Sequence, residues 1–99
     1  MTITKTRDGE KLTIALEGRL DTVTAPELDA ELKEGLDGVK DLVLDFTNLE
    51  YISSAGLRAL LIAHKTMIGK GGTMTLTHVN EIVHEVLDVT GFVSILTIE

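Results

Sequence analysis

The feature that most constrains this chain is a short apolar segment that leads, within a few residues, into a segment with helical periodicity. The apolar segment, Asp41–Phe46, is bounded by carboxylates and predicts a strand buried on both faces. In the second segment, apolar side chains recur at intervals of three and four residues, as on one face of a helix. The positions on this face are Leu57, Leu60, Leu61, His64, Met67 and Ile68.

A serine pair stands where this helix is predicted to begin. The side-chain oxygen of Ser53 or Ser54 can accept a hydrogen bond from an unpaired N–H group of the first turn. The same N–H groups and the positive end of the helix dipole would stabilise a negative group such as a phosphate. Capping alone is a sufficient explanation of the pair. Gly56, however, costs a helix about 1 kcal/mol relative to alanine, which indicates a close approach to the backbone there.

The other segments predict further strands and helices on either side of this unit. They are a hairpin of Thr2–Lys5 and Lys11–Gly18, a helix that ends near Gly35, a strand at Thr73–Thr77, a helix capped by Asn80 and a final strand at Phe92–Ile98. Thr24 and Glu27 match a capping box at the start of the first helix, and the first strand is expected at the sheet edge. Strand–helix alternation after Asp41 predicts parallel strands with right-handed connections. We therefore expect a single α/β domain, residues 1–99, with a mixed β-sheet packed against α-helices.

Composition excludes several classes of partner. The formal net charge is −7 and only nine residues are Lys or Arg, so nucleic acid and anionic membrane surfaces would be repelled, whereas a basic protein surface would be attracted. The chain has two Phe, one Tyr and no Trp, too few for a base-stacking surface. It has no cysteine, and neither an apolar signal region nor a membrane-spanning run is evident. We expect a cytoplasmic monomer.

The residues offer no evident catalytic or metal site. A hydrolase nucleophile elbow needs Gly-x-Ser-x-Gly, but Ile52 stands two positions before Ser54, and no histidine with an acidic partner is placed to activate the hydroxyl. His78 and His84 are not spaced as metal ligands, and no cysteine accompanies them. Three carboxylates that could gather after the central strand are interpreted as solvated caps: Asp21, Asp45 and Glu50. We expect no enzyme, no metal and no cofactor.

Residues 41–61 resemble the signature of the STAS domain, the family of anti-sigma factor antagonists. The matching elements are Leu44-Asp45-Phe46, Tyr51-Ile52, Ser53-Ser54-Ala55-Gly56-Leu57 and Leu60-Leu61, together with the earlier Gly18-Arg19-Leu20-Asp21. By length and element order, the resemblance extends over nearly the whole chain. It implies a STAS-type fold.

The resemblance also implies a function in bacterial transcription regulation. An antagonist of this family binds an anti-sigma factor that is a serine kinase, which releases a sigma factor; the kinase then phosphorylates the antagonist, and a serine phosphatase restores it. Alignment with the family motif places the phosphorylated serine at Ser54. Ser53, where the family commonly has an aspartate, is the second choice. The implied partner-binding residues are Asp21, Thr22, Ser53, Ser54, Ala55, Gly56, Leu57 and Arg58. The alternative is a non-switching accessory subunit of a transporter ATPase or of a larger signalling assembly.

Overall fold

The computed structural model describes residues 1–99 and shows how the predicted segments assemble. The strands are β1 (Thr2–Asp8), β2 (Lys11–Leu20), β3 (Asp41–Ile52), β4 (Thr73–Thr77) and β5 (Thr97–Ile98). The helices are α1 (Ala25–Gly35), α2 (Ser54–Gly69) and α3 (Glu81–Val89), followed by a 3-10 turn at Phe92–Ser94. No helix combines the length and the apolar character that crossing a bilayer requires.

The strands form one mixed sheet in the order β1-β2-β3-β4-β5. β1 is an edge strand antiparallel to β2, as predicted, and Gly9 closes the hairpin in a left-handed conformation (φ +62°). The remaining neighbours are parallel, each pair joined by a segment that contains a helix. The carboxyl ends of β2, β3 and β4 therefore lie at one edge of the sheet, where α1, α2 and α3 begin.

All three helices cover one face of the sheet and leave the other open. Along β3, Leu42, Leu44 and Phe46 are buried and form a single core with buried residues of α1, α2 and α3. Val43, on the opposite face, is only half-buried. The prediction that the central strand is buried on both faces is therefore wrong, because no second helical layer covers the back of the sheet.

The open face of the sheet is rich in threonine. One row of neighbouring residues crosses all five strands: Thr6, Thr13, Val43, Thr75 and Thr97. Threonine suits this position because its branched side chain favours a pleated strand while its hydroxyl remains hydrated. Cross-strand contacts between such side chains add to the stability of the sheet.

The predicted buried face of α2 is only partly correct. Leu57, Leu60 and Met67 are buried, but Ile68 is 58% exposed. The small residues Ala59 and Ala63 are buried as well, so the interior face of the helix is broader and rotated relative to the prediction. Leu61 and His64 are half-buried along its border.

The final strand is shorter than predicted. Gly91 ends α3 in a left-handed conformation (φ +81°), and the chain then turns through a 3-10 segment. The backbone N–H groups of Ile95 and Leu96 donate to the carbonyl of Phe92, which removes these residues from pairing with the sheet. Only Thr97–Ile98 pairs with β4, because the hydrogen bonds of the turn satisfy the preceding backbone.

Candidate functional site

Ser53 is the N-cap of α2 and ties the helix to the sheet. Its backbone is extended, and its Oγ accepts a long hydrogen bond of 3.4 Å from the N–H of Gly56. Its carbonyl accepts from the N–H of Leu57 at 2.9 Å, and its own N–H donates to the carbonyl of Leu20 at 2.9 Å. The side chain is half-buried. The capping role predicted for the serine pair is therefore confirmed for Ser53.

Ser54 is the first residue of α2 and has a different environment. It is exposed, and its hydroxyl makes no hydrogen bond in the structure. The first N–H groups of a helix have no partner within the helix and carry its positive dipole end. Arg58 is also exposed and lies one turn further along, at the spacing that places two residues on the same helix face. The hydroxyl of Ser54 is thus accessible and lies at the positive end of the helix dipole.

Gly56 packs against its neighbours so closely that there is no room for a side chain. A Cβ atom built on this residue would lie 2.8 Å from Cγ1 of Ile52, 2.8 Å from Cγ of Leu20 and 2.9 Å from the Leu20 carbonyl oxygen. The close approach predicted from the sequence is confirmed, and the approaching groups are Leu20 at the end of β2 and Ile52 at the end of β3. Because of this contact, the loop after β2 and the start of α2 form one surface.

The loop between β2 and α1 is held by a dense hydrogen-bond network. Oδ1 of Asp21 accepts from the N–H groups of Val23 (3.0 Å) and Thr24 (3.1 Å). The hydroxyl of Thr24 donates to the carbonyl of Arg19 (2.7 Å) and accepts from the N–H of Asp21 (2.8 Å). These four residues lock the loop in one conformation.

The predicted capping box at Thr24 and Glu27 is wrong. α1 begins after Thr24 without a side-chain cap, because the Thr24 hydroxyl is already engaged with Arg19 and Asp21 across the loop. The carbonyl of Asp21 instead accepts from the N–H of Ala25 at 2.8 Å. The polar residues before the helix therefore stabilise the loop rather than the first helical turn.

Asp21 carries a stable negative charge at neutral pH. The backbone N–H of Thr24 does most to hold the pKa of this carboxyl below its usual range, and burial opposes the shift without reversing it. The guanidinium of Arg19 lies 3.8 Å from Oδ2 of Asp21 and also stacks on the ring of Tyr51, 4.4 Å from its centroid. Arg19 thus links the loop to β3.

The carboxylate of Asp45, near the middle of β3, is stabilised in a similar way. The hydroxyl and the N–H of Thr47 donate to its Oδ1 at 2.6 and 3.0 Å and lower the pKa of the carboxyl. His78 Nδ1 lies 3.2 Å away. Asp21 and Asp45 thus each accept hydrogen bonds from backbone N–H groups of the residues that follow them.

The structure separates the predicted partner-binding residues into two layers. Thr22, Ser54 and Arg58 are exposed. Gly56 is buried and Leu57 is 6% exposed, so these two residues support the surface from below. Asp21, Ser53 and Ala55 are half-buried between the two layers.

Sequence reasoning missed three residues of this surface. Arg19 and Tyr51 are partners in the parallel register of β2 and β3, a pairing that no local pattern reveals. Val23 is 81% exposed in the loop after β2. Its apolar character between Thr22 and Thr24 was the only available signal, and alone it does not distinguish a surface residue from a buried one.

Comparison with known proteins identifies the family of this chain. Residues 2–99 match the STAS domain model. The chain belongs to the STAS family. This STAS protein is 35% identical to the proposed anti-sigma factor antagonist BtrV of Bordetella bronchiseptica, over 99% of this chain and 85% of that protein. It is 33% identical to the anti-sigma F factor antagonist of Paenibacillus polymyxa, over 88% of this chain and 76% of the relative.

Solved structures confirm the fold that the resemblance implied. The Bacillus cell fate determinant SpoIIAA in its phosphorylated form superimposes with a TM-score of 0.78, covering 99% of this chain and 91% of that protein at 17% identity. The STAS-type mixed sheet with helices packed against it is therefore established for this chain. At this level of identity, the superposition supports the fold alone.

Proposed function

We propose that this STAS protein is an anti-sigma factor antagonist that is switched off by phosphorylation of Ser54. In its unphosphorylated state it binds an anti-sigma factor with serine kinase activity, and a sigma factor is released. The names of the relatives at 33% and 35% identity support the antagonist role. The observation that carries the switch is the exposed, unbonded hydroxyl of Ser54 at the start of α2.

Ser54 is preferred to Ser53 because the two hydroxyls differ in availability. The Ser53 side chain is half-buried and caps α2 through the N–H of Gly56, so its modification would remove the cap. The Ser54 side chain is exposed to solvent, and it does not cap α2 because Ser53 already does. Ser53 remains the second choice as the modified residue.

The physical basis of the switch is a change of charge at the helix start. A phosphate adds about −1.5 to −2 charges at neutral pH. In the free protein, the unpaired N–H groups of the first turn and the guanidinium of Arg58 would stabilise this charge. Inside a packed interface the same dianion would lose its hydration and repel a closely fitting partner. A serine phosphatase would restore binding by removing it.

The proposed binding surface consists of Asp21, Thr22, Ser54 and Arg58, supported from below by the close contact between Gly56 and the end of β2. The net charge of −7 favours a partner whose facing surface is basic. We assign no catalysis to Ser54, since its hydroxyl is not hydrogen-bonded to a general base. We place the protein in the bacterial cytoplasm as a monomer.

The test is a pull-down from the native cytoplasm with wild-type, Ser54→Asp and Ser94→Asp baits. Ser94 is an exposed serine outside the proposed surface, so its variant adds the same charge elsewhere. We expect the wild type and Ser94→Asp to recover an ATP-binding serine kinase and Ser54→Asp to lose it. The melting temperature of Ser54→Asp should stay within about 2 °C of the wild type, because an exposed carboxylate at a helix start is tolerated.

Phosphate mapping completes the test. After reaction of the recovered kinase with ATP, the phosphate should be found on Ser54, persist in Ser53→Ala and be absent from Ser54→Ala. Equal binding by all baits, or phosphate on another residue, would disprove the switch. Recovery of a transporter ATPase would support the accessory-subunit alternative, and unfolding of Ser54→Asp would assign Ser54 a structural role.

A further inference from the structure

Val23 is an apolar side chain in an unusual position. It is 81% exposed, more than any other large hydrophobic residue of the chain. Single exposed apolar residues are common on protein surfaces and need no explanation by themselves. Val23 differs because of where it lies and how it is held.

The backbone on both sides of Val23 is fixed. Its own N–H donates to Oδ1 of Asp21, and the next residue, Thr24, bonds both to Asp21 and to the Arg19 carbonyl. The aspartate is itself close to the Arg19 guanidinium, which stacks on Tyr51. An exposed valine on a fixed loop has little conformational entropy left to lose when a partner covers it.

The same loop adjoins the start of α2. The carbonyl of Leu20, three residues before Val23, accepts the N–H of Ser53 and would lie 2.9 Å from a Cβ on Gly56. The loop that carries Val23 and the helix start that carries Ser54 therefore lie against each other at the carboxyl edge of the sheet. An apolar side chain surrounded by polar ones matches the arrangement of an interface core with its rim.

We infer that Val23 is the apolar anchor of the interface with the anti-sigma factor kinase. Val23 inserts into an apolar pocket of the kinase, and a basic side chain at the border of this pocket faces Asp21. This inference rests on the proposed function. It also explains how phosphorylation of Ser54 would weaken binding, because a dianion on the adjoining helix start draws water into an interface whose apolar contact depends on excluding water.

The test measures binding of the purified kinase recovered by the wild type to Val23→Thr, Val23→Ala and Val89→Thr. Threonine keeps the shape of valine and replaces one methyl group by a hydroxyl. Val89 is a matched control, since it is 76% exposed and ends α3, away from the edge where the helices begin. All three substitutions are at exposed positions, so equal melting temperatures will show that the fold is retained.

We expect Val23→Thr to raise Kd about tenfold or more, because a buried hydroxyl without a partner loses its hydration. Val23→Ala should weaken binding as well, and Val89→Thr should match the wild type. The change should appear in koff, with the salt dependence of kon unaltered, as for an apolar contact rather than a charged one.

The outcomes separate this inference from the proposed function. If Ser54→Asp abolishes binding while both Val23 variants bind like the wild type, the anchor is disproved and the switch stands. If the Val23 variants weaken binding and Ser54→Asp does not, the surface is correct and the switch is wrong. If the wild type binds no kinase, both proposals fail together.

Discussion

Gly56 shows how one residue without a side chain determines the geometry of the candidate site. The carbonyl of Leu20 and the side chains of Leu20 and Ile52 occupy the space that a Cβ atom would fill. The start of α2 can therefore pack directly on the end of β2. The contact positions Ser53 and Ser54 beside the loop that follows β2.

We predict that Gly56→Ala destabilises the fold by about 1–3 kcal/mol, because the added methyl group overpacks a contact that includes backbone. Gly69→Ala is the matched control, since Gly69 ends the same helix and has no atom within 4 Å of the added Cβ. We expect the control to be neutral or slightly stabilising. Urea unfolding of both variants measures the difference, and equal stabilities would contradict the packing argument.

At the scale of the helices, α2 and α3 both begin at a residue whose side chain caps the first turn, but the capping hydrogen bonds differ in length. Ser53 makes one long capping hydrogen bond of 3.4 Å. Asn80 accepts from the N–H of Val83 at 2.8 Å and also donates to the carbonyl of Leu49 at 2.8 Å. Asn80 thus caps α3 and fastens it to β3 with a single side chain.

We predict that Asn80→Ala costs about 1–2 kcal/mol of unfolding free energy, toward the upper end of N-cap substitutions, because two short hydrogen bonds are lost. Ser53→Ala should cost about 0.5 kcal/mol, the lower end for a cap. Asn80→Asp keeps the capping oxygen but lacks the donor, so its stability should lie between the wild type and Asn80→Ala. Chemical denaturation of the three variants gives the order, and a larger loss for Ser53→Ala would contradict it.

At the scale of the whole molecule, two carboxylates make stability depend on pH. The pKa values of Asp21 and Asp45 are lowered in the folded state by hydrogen bonds to the residues that follow them. The unfolded chain therefore binds more protons than the native state in acid. The stabilisation they provide is complete above the unfolded pKa of about 3.9 and is lost as the pH falls through the lower folded values.

We predict that the double variant Asp21→Asn, Asp45→Asn is less stable than the wild type at pH 7 and that the difference shrinks below about pH 4. Asparagine keeps an acceptor oxygen but does not titrate, so the comparison isolates the charge. Urea unfolding at pH 7, 5, 4 and 3 measures the difference. If the difference in unfolding free energy between the two proteins stays constant from pH 7 to pH 3, the two carboxylates do not cause the pH dependence.

How much of the molecule can be predicted from its sequence depends on whether the signal is local. The hairpin at Gly9, the start of α2 at Ser53 and Ser54, and the tight packing at Gly56 follow from turn chemistry, capping chemistry and the cost of glycine in a helix. Each of these signals is contained within a few neighbouring residues. The sequence alone therefore determined the order of the elements and the start of α2 at the serine pair, and the resemblance to the STAS motif placed the candidate phosphorylation site at Ser54.

Tertiary structure decided the features that depend on distant partners. Val43 is half-buried because no helix covers the back of the sheet, and Thr24 stabilises a loop because the chain brings the carbonyl of Arg19 to its hydroxyl. The stacking of Arg19 on Tyr51 requires the parallel register of β2 and β3, which joins residues 32 positions apart. Such contacts form only when the whole sheet assembles, since their free energy comes from residues that no local pattern connects.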